Sequence, residues 1–150
     1  MAEQEQSYLK KNNPNYYSFF KEYWSFVKKY WRVYPEEEWW NCFLADMNYY
    51  IARNDSIDFF VDLLMAFYKK TRDEQNNEFT VNDVFTFLQE WWKFVNEFYV
   101  TRDEKSYWAD FFKRAKELSD KYGKSEYYID VIDAFIKMKT AGQQITGVAN

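Results

Sequence analysis

The chain is 150 residues long and carries a net charge of −4, with an isoelectric point near 5.0. This length suits a single domain with a sizeable core. The acidic balance leaves no basic excess to neutralise a phosphate backbone, which argues against nucleic-acid binding. Because the sequence contains no histidine, Ser-His-Asp and Cys-His catalytic groups and the HExxH zinc motif are excluded.

The N-terminus and the single cysteine indicate the cellular compartment. The segment MAEQEQSYLKKNNP has neither an apolar run nor the basic region that precedes one in a signal peptide. The sequence also lacks a stretch of about 20 uncharged apolar residues that could span a bilayer. Cys42 has no second cysteine to pair with, which fits a reducing compartment. We therefore expect a soluble cytoplasmic protein that does not enter a membrane.

Six helices are predicted from apolar periodicity, caps and breakers. Pro14 starts the first helix, and Pro35 ends it because proline disfavours helix at the preceding residue. Thr80 and Ser125 are the predicted N-caps of the fourth and sixth helices, and Gly123 is the predicted C-terminal glycine of the fifth. The predicted helices are Pro14 to Val33, Pro35 to Arg53, Asp55 or Ser56 to Asn76, Val81 to Thr101, Asp103 or Ser106 to Gly123, and the Ser125 cap to Thr140.

These helices define the domain organisation. Residues 14–141 are expected to form one all-α domain, a compact bundle of about six helices with the widely apolar third helix at its centre. Residues 1–13 are polar and residues 142–150 lack periodicity, so both are predicted to be flexible segments. The similar stretches FYKKTRDE and FYVTRDE indicate either a helical-hairpin repeat or a chance likeness of two helix ends.

Phe, Tyr and Trp make up 24% of the chain, and this surplus must serve either the core or a binding surface. At about 100° per residue, apolar side chains cover roughly half the circumference of the first and fourth helices, more than one core contact requires. One interpretation buries the whole arc against several neighbours. The other exposes one edge of each arc as an interface anchored by aromatic rings. The predicted edge residues are Phe19 and Phe26 in the first helix and Phe87 and Phe94 in the fourth.

Asp46 is an unusual acidic residue because it falls inside the apolar arc of the second helix, beside Trp39 and Tyr50. A buried carboxylate must be hydrogen-bonded, or its pKa rises. The sequence leaves two interpretations open: a structural acid that accepts a hydrogen bond from Tyr, Trp or Arg, or a pocket whose carboxylate binds a cation or acts as an acid. Cys42, at the edge of the same arc, is predicted to be a packing residue rather than a nucleophile.

Two acidic pairs share helix faces, Asp58 with Asp62 and Asp130 with Asp133. Such pairs can bind Mg²⁺ in phosphate-processing sites, but both lie on polar faces, where solvated acids are expected. No metal or cofactor is predicted, since a structural zinc site needs more Cys or His and the three glycines form no phosphate-binding loop. Lys70, near the predicted end of the third helix, is accounted for by the helix dipole.

Three functional classes remain after these exclusions. We expect a small acidic interaction or regulatory module, an adaptor or inhibitor without enzymatic activity, that binds a protein partner or a second copy of itself through an aromatic helical surface. Compact acidic proteins of this kind are common among phage and mobile-element accessory proteins. The alternatives are a carboxylate-based, metal-dependent enzyme acting on phosphate compounds and a single-stranded nucleic-acid binder that stacks bases on aromatic rings.

Overall fold

A computed structural model describes the backbone of residues 8–149 and the side chains of residues 8–141. This part of the chain is helical and contains no strand, so the all-α prediction is confirmed. None of its helices combines the length and apolar character needed to cross a bilayer. The long helices are α1 (Pro14–Tyr30), α2 (Glu37–Asn54), α3 (Asp58–Lys69), α4 (Val81–Phe98), α5 (Ser106–Tyr122) and α6 (Glu126–Ala149), and a π-helical turn (Lys70–Glu74) extends α3.

Local sequence signals explain several of the helix boundaries. Pro14 occupies the first turn of α1 as predicted. Thr80 and Asp83 form a capping box at α4, in which the Thr80 N–H donates to the Asp83 carboxylate at 2.8 Å and the Asp83 N–H donates to the Thr80 hydroxyl at 3.2 Å. The Ser125 hydroxyl accepts a backbone N–H in the first turn of α6 at 3.2 Å. At α3 the predicted caps are wrong, because the preceding residue is Ile57, which has no side-chain acceptor.

Both ends of the chain are more helical than predicted. Residues 8–12 form a short helix within the segment 1–13 that was expected to be flexible. Leu9 is fully buried there, and its N–H donates to the Asn96 side-chain oxygen at 2.8 Å. At the other end, α6 continues through Gly142 to Ala149, although residues 142–150 were expected to be flexible. For residues 1–7 and 150 these predictions lie outside the described residues.

α3 and α4 share the interior of the bundle. α3 packs against α1, α2 and α6, whereas α4 packs against α5 and α6. The predicted central position of the third helix is therefore matched only in part, since α4 buries at least as much of its apolar face. Two tyrosines are joined inside this core: the Tyr23 hydroxyl donates to the Leu63 carbonyl oxygen at 2.9 Å and lies 2.7 Å from the Tyr127 hydroxyl. Because Tyr23 has one proton to give, Tyr127 is the donor between them.

Gly123 ends α5 as predicted, but for a different reason. Its φ is −70°, so it does not use the left-handed conformation that usually selects glycine at a helix end. A Cβ at this position would instead lie 2.5 Å from the Ser119 carbonyl oxygen, too close for any side chain.

We expect Gly123→Ala to lower the free energy of unfolding by about 1–3 kcal/mol, the usual cost of overpacking. Lys124→Ala, at the adjacent exposed position, is the matched control and is expected to leave stability unchanged. Urea unfolding measures both variants, and equal midpoints would contradict the crowding at residue 123.

The π-helical turn ends in a strained residue. The Gln75 N–H donates to the Lys70 carbonyl oxygen at 2.8 Å and closes the wide turn. Gln75 itself takes φ 47° and ψ −118°, with its side chain exposed. Such a conformation costs a residue with a Cβ on the order of 1–3 kcal/mol. The second copy of the TRDE motif, residues 101–104, is not helical, so the two copies differ in conformation.

Gln75→Gly is expected to raise the free energy of unfolding by about 1 kcal/mol, because the relief of strain exceeds the extra entropy that glycine loses on folding. Gln75→Ala keeps the strain and should give no gain. Chemical denaturation of the two variants beside the wild type checks this, and a less stable glycine variant would show that the backbone at residue 75 is unstrained.

Candidate functional site

The phenylalanines predicted to form exposed interface edges belong to the core. All four are at most 4% exposed, so the prediction of exposed edges is wrong for Phe19, Phe26, Phe87 and Phe94. The reason is that α1 and α4 have neighbours at both edges of their apolar arcs. Phe19 stacks on Phe60 of α3 with ring centroids 3.9 Å apart, and Phe94 stacks on Phe111 of α5 at 5.3 Å. For these residues the other interpretation holds, in which the whole arc is buried.

Asp46 is half-exposed rather than buried, with 40% of its side chain accessible. Its carboxylate accepts a hydrogen bond from the Tyr30 hydroxyl at 2.5 Å and lies 3.3 Å from the Lys29 ammonium. Burial, followed by the bond to Asp46, raises the pKa of Tyr30 to about 12. These contacts tie α2 to α1, as expected of the structural acid rather than of a pocket acid.

Trp39 and Tyr50, the other two predicted pocket residues, lie on the same side of α2 as Asp46. The Trp39 ring meets Tyr30 edge-on at 5.6 Å, and Tyr50 lies 5.3 Å from Phe26. Both rings are partly buried. The three predicted residues are thus brought together, and what they form is the contact between α1 and α2.

The predicted acidic pairs lie along the contact between α3 and α6, where one acid of each pair has a lysine partner. Lys137 Nζ lies 3.3 Å from Asp62, and Lys69 Nζ lies 3.6 Å from Asp130. Burial, with the nearby Asp130 charge, raises the pKa of Asp133. Within the described residues, no group of three or more His, Cys, Asp or Glu side chains is placed to hold a metal ion.

Lys70 has an environment that the sequence interpretation missed. It is 1% exposed, and its ammonium donates to the Trp31 carbonyl oxygen at 2.5 Å while lying 3.9 Å from the centre of the Trp31 ring. Burial lowers the pKa of Lys70 to about 8, although the Glu74 charge acts in the opposite direction. The sequence contained a signal for this burial, because Lys70 follows Leu63 by seven residues and so lies on the same apolar face of α3.

α2 and α3 carry an apolar patch that the rest of the bundle leaves open. On α2 only Phe43 and Met47 are buried, although the helix is rich in apolar residues, and Cys42 is exposed rather than packed as predicted. Leu44 and Met65 are 40% and 45% exposed, and the other members of the patch are half-buried. We call this patch the α2–α3 surface; it consists of Trp40, Leu44 and Ile51 from α2 and Val61, Met65 and Tyr68 from α3.

The register of the two helices makes this patch continuous. Phe43 stacks on Tyr68 with ring centroids 6.4 Å apart and meets Phe67 edge-on at 6.0 Å, so the middle of α2 lies beside the second half of α3. The three members on each helix recur at spacings of three, four or seven residues, so each set forms one stripe. Because Tyr68 belongs to the α3 stripe and Phe43 directly precedes Leu44 of the α2 stripe, the two stripes approach each other at this contact.

The segment that contains α2 is acidic. Residues 36–58 hold six acidic residues and one arginine, a net charge of −5, whereas the whole chain has −4, so all other residues together sum to +1. Glu37 and Asp55 stand at the two ends of α2, and at about 100° per residue they project on the same side as Leu44. The α2 stripe of the α2–α3 surface thus has an acidic residue near each end.

The segment that contains α1 carries the opposite charge, and its cations Lys10, Lys11, Lys21, Lys28, Lys29 and Arg32 are called here the basic stripe of α1. Residues 10–32 hold six basic residues and one acidic residue, a net charge of +5. Lys21 Nζ lies 5.1 Å from the centre of the Tyr17 ring, and Lys28 Nζ lies 5.8 Å from that of Trp24. Trp24 in turn lies 5.1 Å from the exposed Phe85 of α4. Basic residues interleaved with aromatic rings are typical of surfaces that bind single-stranded nucleic acid.

Comparison of the chain with protein-family models, with curated proteins and with solved structures finds no match in any of the three. The α2–α3 surface and the basic stripe of α1 are the features from which a function can be inferred. They differ in chemistry: one is an apolar patch with an acidic surround, the other a row of cations over aromatic rings.

Proposed function

We propose that this protein is a small acidic interaction or regulatory module, an adaptor or inhibitor, that binds a protein partner through the α2–α3 surface. The observation that carries the proposal is the exposure of two large apolar side chains, Leu44 and Met65, on two helices that pack against each other. Removing apolar area from water contributes about 25 cal/mol per Å², and apolar patches with polar rims mark interaction sites. We propose a cytoplasmic location, because an exposed free thiol such as that of Cys42 fits a reducing compartment.

The side chains of this surface suit an interface. Trp, Tyr and Met are enriched at the centres of protein interfaces, and Met adapts its shape to a partner. Trp40 packs edge-on against Trp39 with centroids 5.0 Å apart, and Tyr68 is stacked on Phe43. Both rings are therefore held in place before binding, which reduces the side-chain entropy lost when a partner docks.

Site-specific photocrosslinking in the native host tests this function. Benzoylphenylalanine in place of Leu44 or Met65 is expected to capture one and the same partner protein. The control is benzoylphenylalanine in place of Phe112, which is 46% exposed but lies on α5, and it should not capture that partner. Equal capture from all three positions would contradict the assignment of the surface.

Single-stranded nucleic-acid binding is a second candidate, favoured by the basic stripe of α1. Five of its cations are lysines, and neutralised phosphates would make retention on single-stranded DNA fall with added salt. Lys21→Glu combined with Lys28→Glu is expected to abolish retention, whereas Lys124→Glu, an exposed lysine outside the stripe, should reduce it little. Equal losses in these variants would indicate a non-specific charge effect and exclude a site on α1.

A further inference from the structure

We infer that the partner segment that binds the α2–α3 surface is a basic amphipathic helix. Such a helix has apolar residues every three or four positions and lysine or arginine along its flanks. This inference rests on the proposed function, to which it adds the secondary structure and the charge of the partner.

The shape of the surface favours a helical partner. From Trp40 to Ile51 the α2 stripe extends over eleven residues, about 16 Å at a helical rise of 1.5 Å per residue, which matches three turns of a docked helix. Both elements that form the surface are α-helices, so it offers no strand edge to which an extended peptide could add. A bound helix satisfies its own backbone hydrogen bonds and can therefore lie on an apolar stripe, as in helix-in-groove recognition.

The charges around the surface favour a basic partner. Glu37 and Asp55 are eighteen residues apart, about 27 Å along the helix, so they stand just beyond the two ends of the apolar stripe. Arg72, a cation on this side, lies over the Tyr68 ring at 5.6 Å and forms two hydrogen bonds to Asp73 at 2.7 and 2.9 Å. Lys69, four residues after Met65, lies 3.6 Å from both Glu126 and Asp130. Flanking lysines or arginines on a partner would complement this acidic surround, which accelerates association and rejects acidic competitors.

Other occupants fit the surface less well. In a two-fold dimer a second copy would bring the acidic residues beside one surface, Glu37 and Asp55, against those of the other, because the same patch faces itself across the axis. Residues 1–7, MAEQEQS, and residues 142–150, GQQITGVAN, contain no lysine or arginine to complement the acidic residues. An anionic lipid surface would be repelled by the same acidic residues.

Titration of the isotope-labelled full chain with two designed helical peptides, followed by amide NMR shifts, tests the inference. Both peptides carry the same face of leucines at positions i, i+3, i+4 and i+7; one has lysines on its flanks and the other has glutamates. We expect the lysine peptide to shift the amide signals of α2 and α3, and the glutamate peptide to bind at least about tenfold more weakly at low salt.

Matched variants show which side chains contribute to binding of the lysine peptide. Leu44→Ser combined with Met65→Ser should abolish binding of the lysine peptide, whereas Phe112→Ser, at an equally exposed apolar position, should not. Glu37→Gln combined with Asp55→Asn should weaken the lysine peptide about three- to tenfold and reduce its salt dependence. Asp103→Asn combined with Glu104→Gln, two exposed acids in the loop before α5, should have little effect.

These outcomes distinguish failure of the basic helical partner from failure of the α2–α3 surface as a binding site. Equal binding of both peptides to α2 and α3, insensitive to Glu37 and Asp55, overturns the basic partner and leaves the proposed function standing. Binding that is insensitive to Leu44 and Met65, with shifts in other helices, overturns the α2–α3 surface and, with it, the basic helical partner. If neither peptide binds, the helical partner is overturned, and photocrosslinking decides the proposed function on its own. Self-association in light scattering, removed by the Leu44 and Met65 substitutions, would replace the foreign partner with a second copy.

Discussion

Replacing Phe94 by alanine is expected to lower the free energy of unfolding by about 3–5 kcal/mol, the usual cost of removing a buried phenylalanine. The Phe94 ring is fully buried and lies 5.3 to 5.4 Å from the rings of Phe98, Phe111 and Phe135. Its loss leaves a cavity where α4, α5 and α6 meet. Because small domains have only about 5–15 kcal/mol of stability in total, this change alone removes a large part of it.

Phe112→Ala is the matched control for this prediction. Phe112 follows Phe111 directly but is 46% exposed, so its truncation is expected to change stability by no more than about 0.5 kcal/mol. Urea unfolding followed by tryptophan fluorescence measures both variants. If Phe94 were an interface residue, its substitution would impair binding and leave the unfolding midpoint unchanged, contrary to the burial described above.

Lys70→Ala is expected to lower the free energy of unfolding by about 2–4 kcal/mol, because it removes a buried aliphatic stem and leaves the Trp31 carbonyl oxygen without its donor. Lys70→Met should cost less at neutral pH, since methionine fills a similar volume without placing a charge in the core. The pair of variants thus separates the packing of the stem from the burial of the ammonium.

The pH dependence of the free energy of unfolding tests directly for the buried charge of the Lys70 ammonium. Burial lowers the pKa of Lys70 to about 8, whereas the ordinary value is 10.5. Between these two values the unfolded chain binds more protons than the folded one, so the free energy of unfolding rises with pH in this range. Burial also lowers the pKa of Lys139 to about 8, and this group contributes a rise in the same range. Above pH 10 the trend reverses, because burial raises the pKa of tyrosines such as Tyr16 and Tyr30 to about 12.

Urea unfolding at a series of pH values from 7 to 11 tests this profile. Wild-type stability is expected to pass through a maximum near pH 9 to 10. Lys70→Met should flatten the rise, Lys139→Met should remove the remainder, and neither should change the decline at higher pH. A rise that survives in the double variant would show that these lysines are not responsible for it.

Several features that depend on local chemistry were predictable from the sequence, although the predicted caps of α3 were wrong, and features that depend on neighbours were not. The caps Thr80 and Ser125 act on backbone groups a few residues away, so their spacing in the sequence was sufficient. Whether one edge of a wide apolar arc is exposed depends on which helices flank it, and this was wrong for Phe19 because α3 covers it. The same lack of tertiary information placed the candidate interface on α1 and α4, whereas the exposed apolar side chains Leu44 and Met65 lie on α2 and α3.

At Lys70 the helical periodicity indicates burial, although a lysine is ordinarily expected to be exposed. Its spacing from Leu63 places it on the buried face, but a lysine at a helix end has an adequate explanation in the helix dipole. The sequence did not indicate that the C-terminal end of α1 packs against Lys70. There the Trp31 carbonyl oxygen accepts a hydrogen bond from the Lys70 ammonium. The sequence pattern therefore places residue 70 on the buried face, whereas the acceptor of its ammonium could be identified only from the fold.

The edge-on packing of Trp39 and Trp40 has a spectroscopic consequence. Two indole rings at a centroid distance of 5.0 Å and an angle of 82° are close and non-parallel, so their electronic transitions couple and produce an exciton couplet in the far-ultraviolet dichroism. The signal overlaps the bands from which helix content is read, so such a spectrum would misstate the helicity of this chain. Trp40 belongs to the α2–α3 surface, so a partner that reorients it would alter the couplet and give a label-free readout of binding.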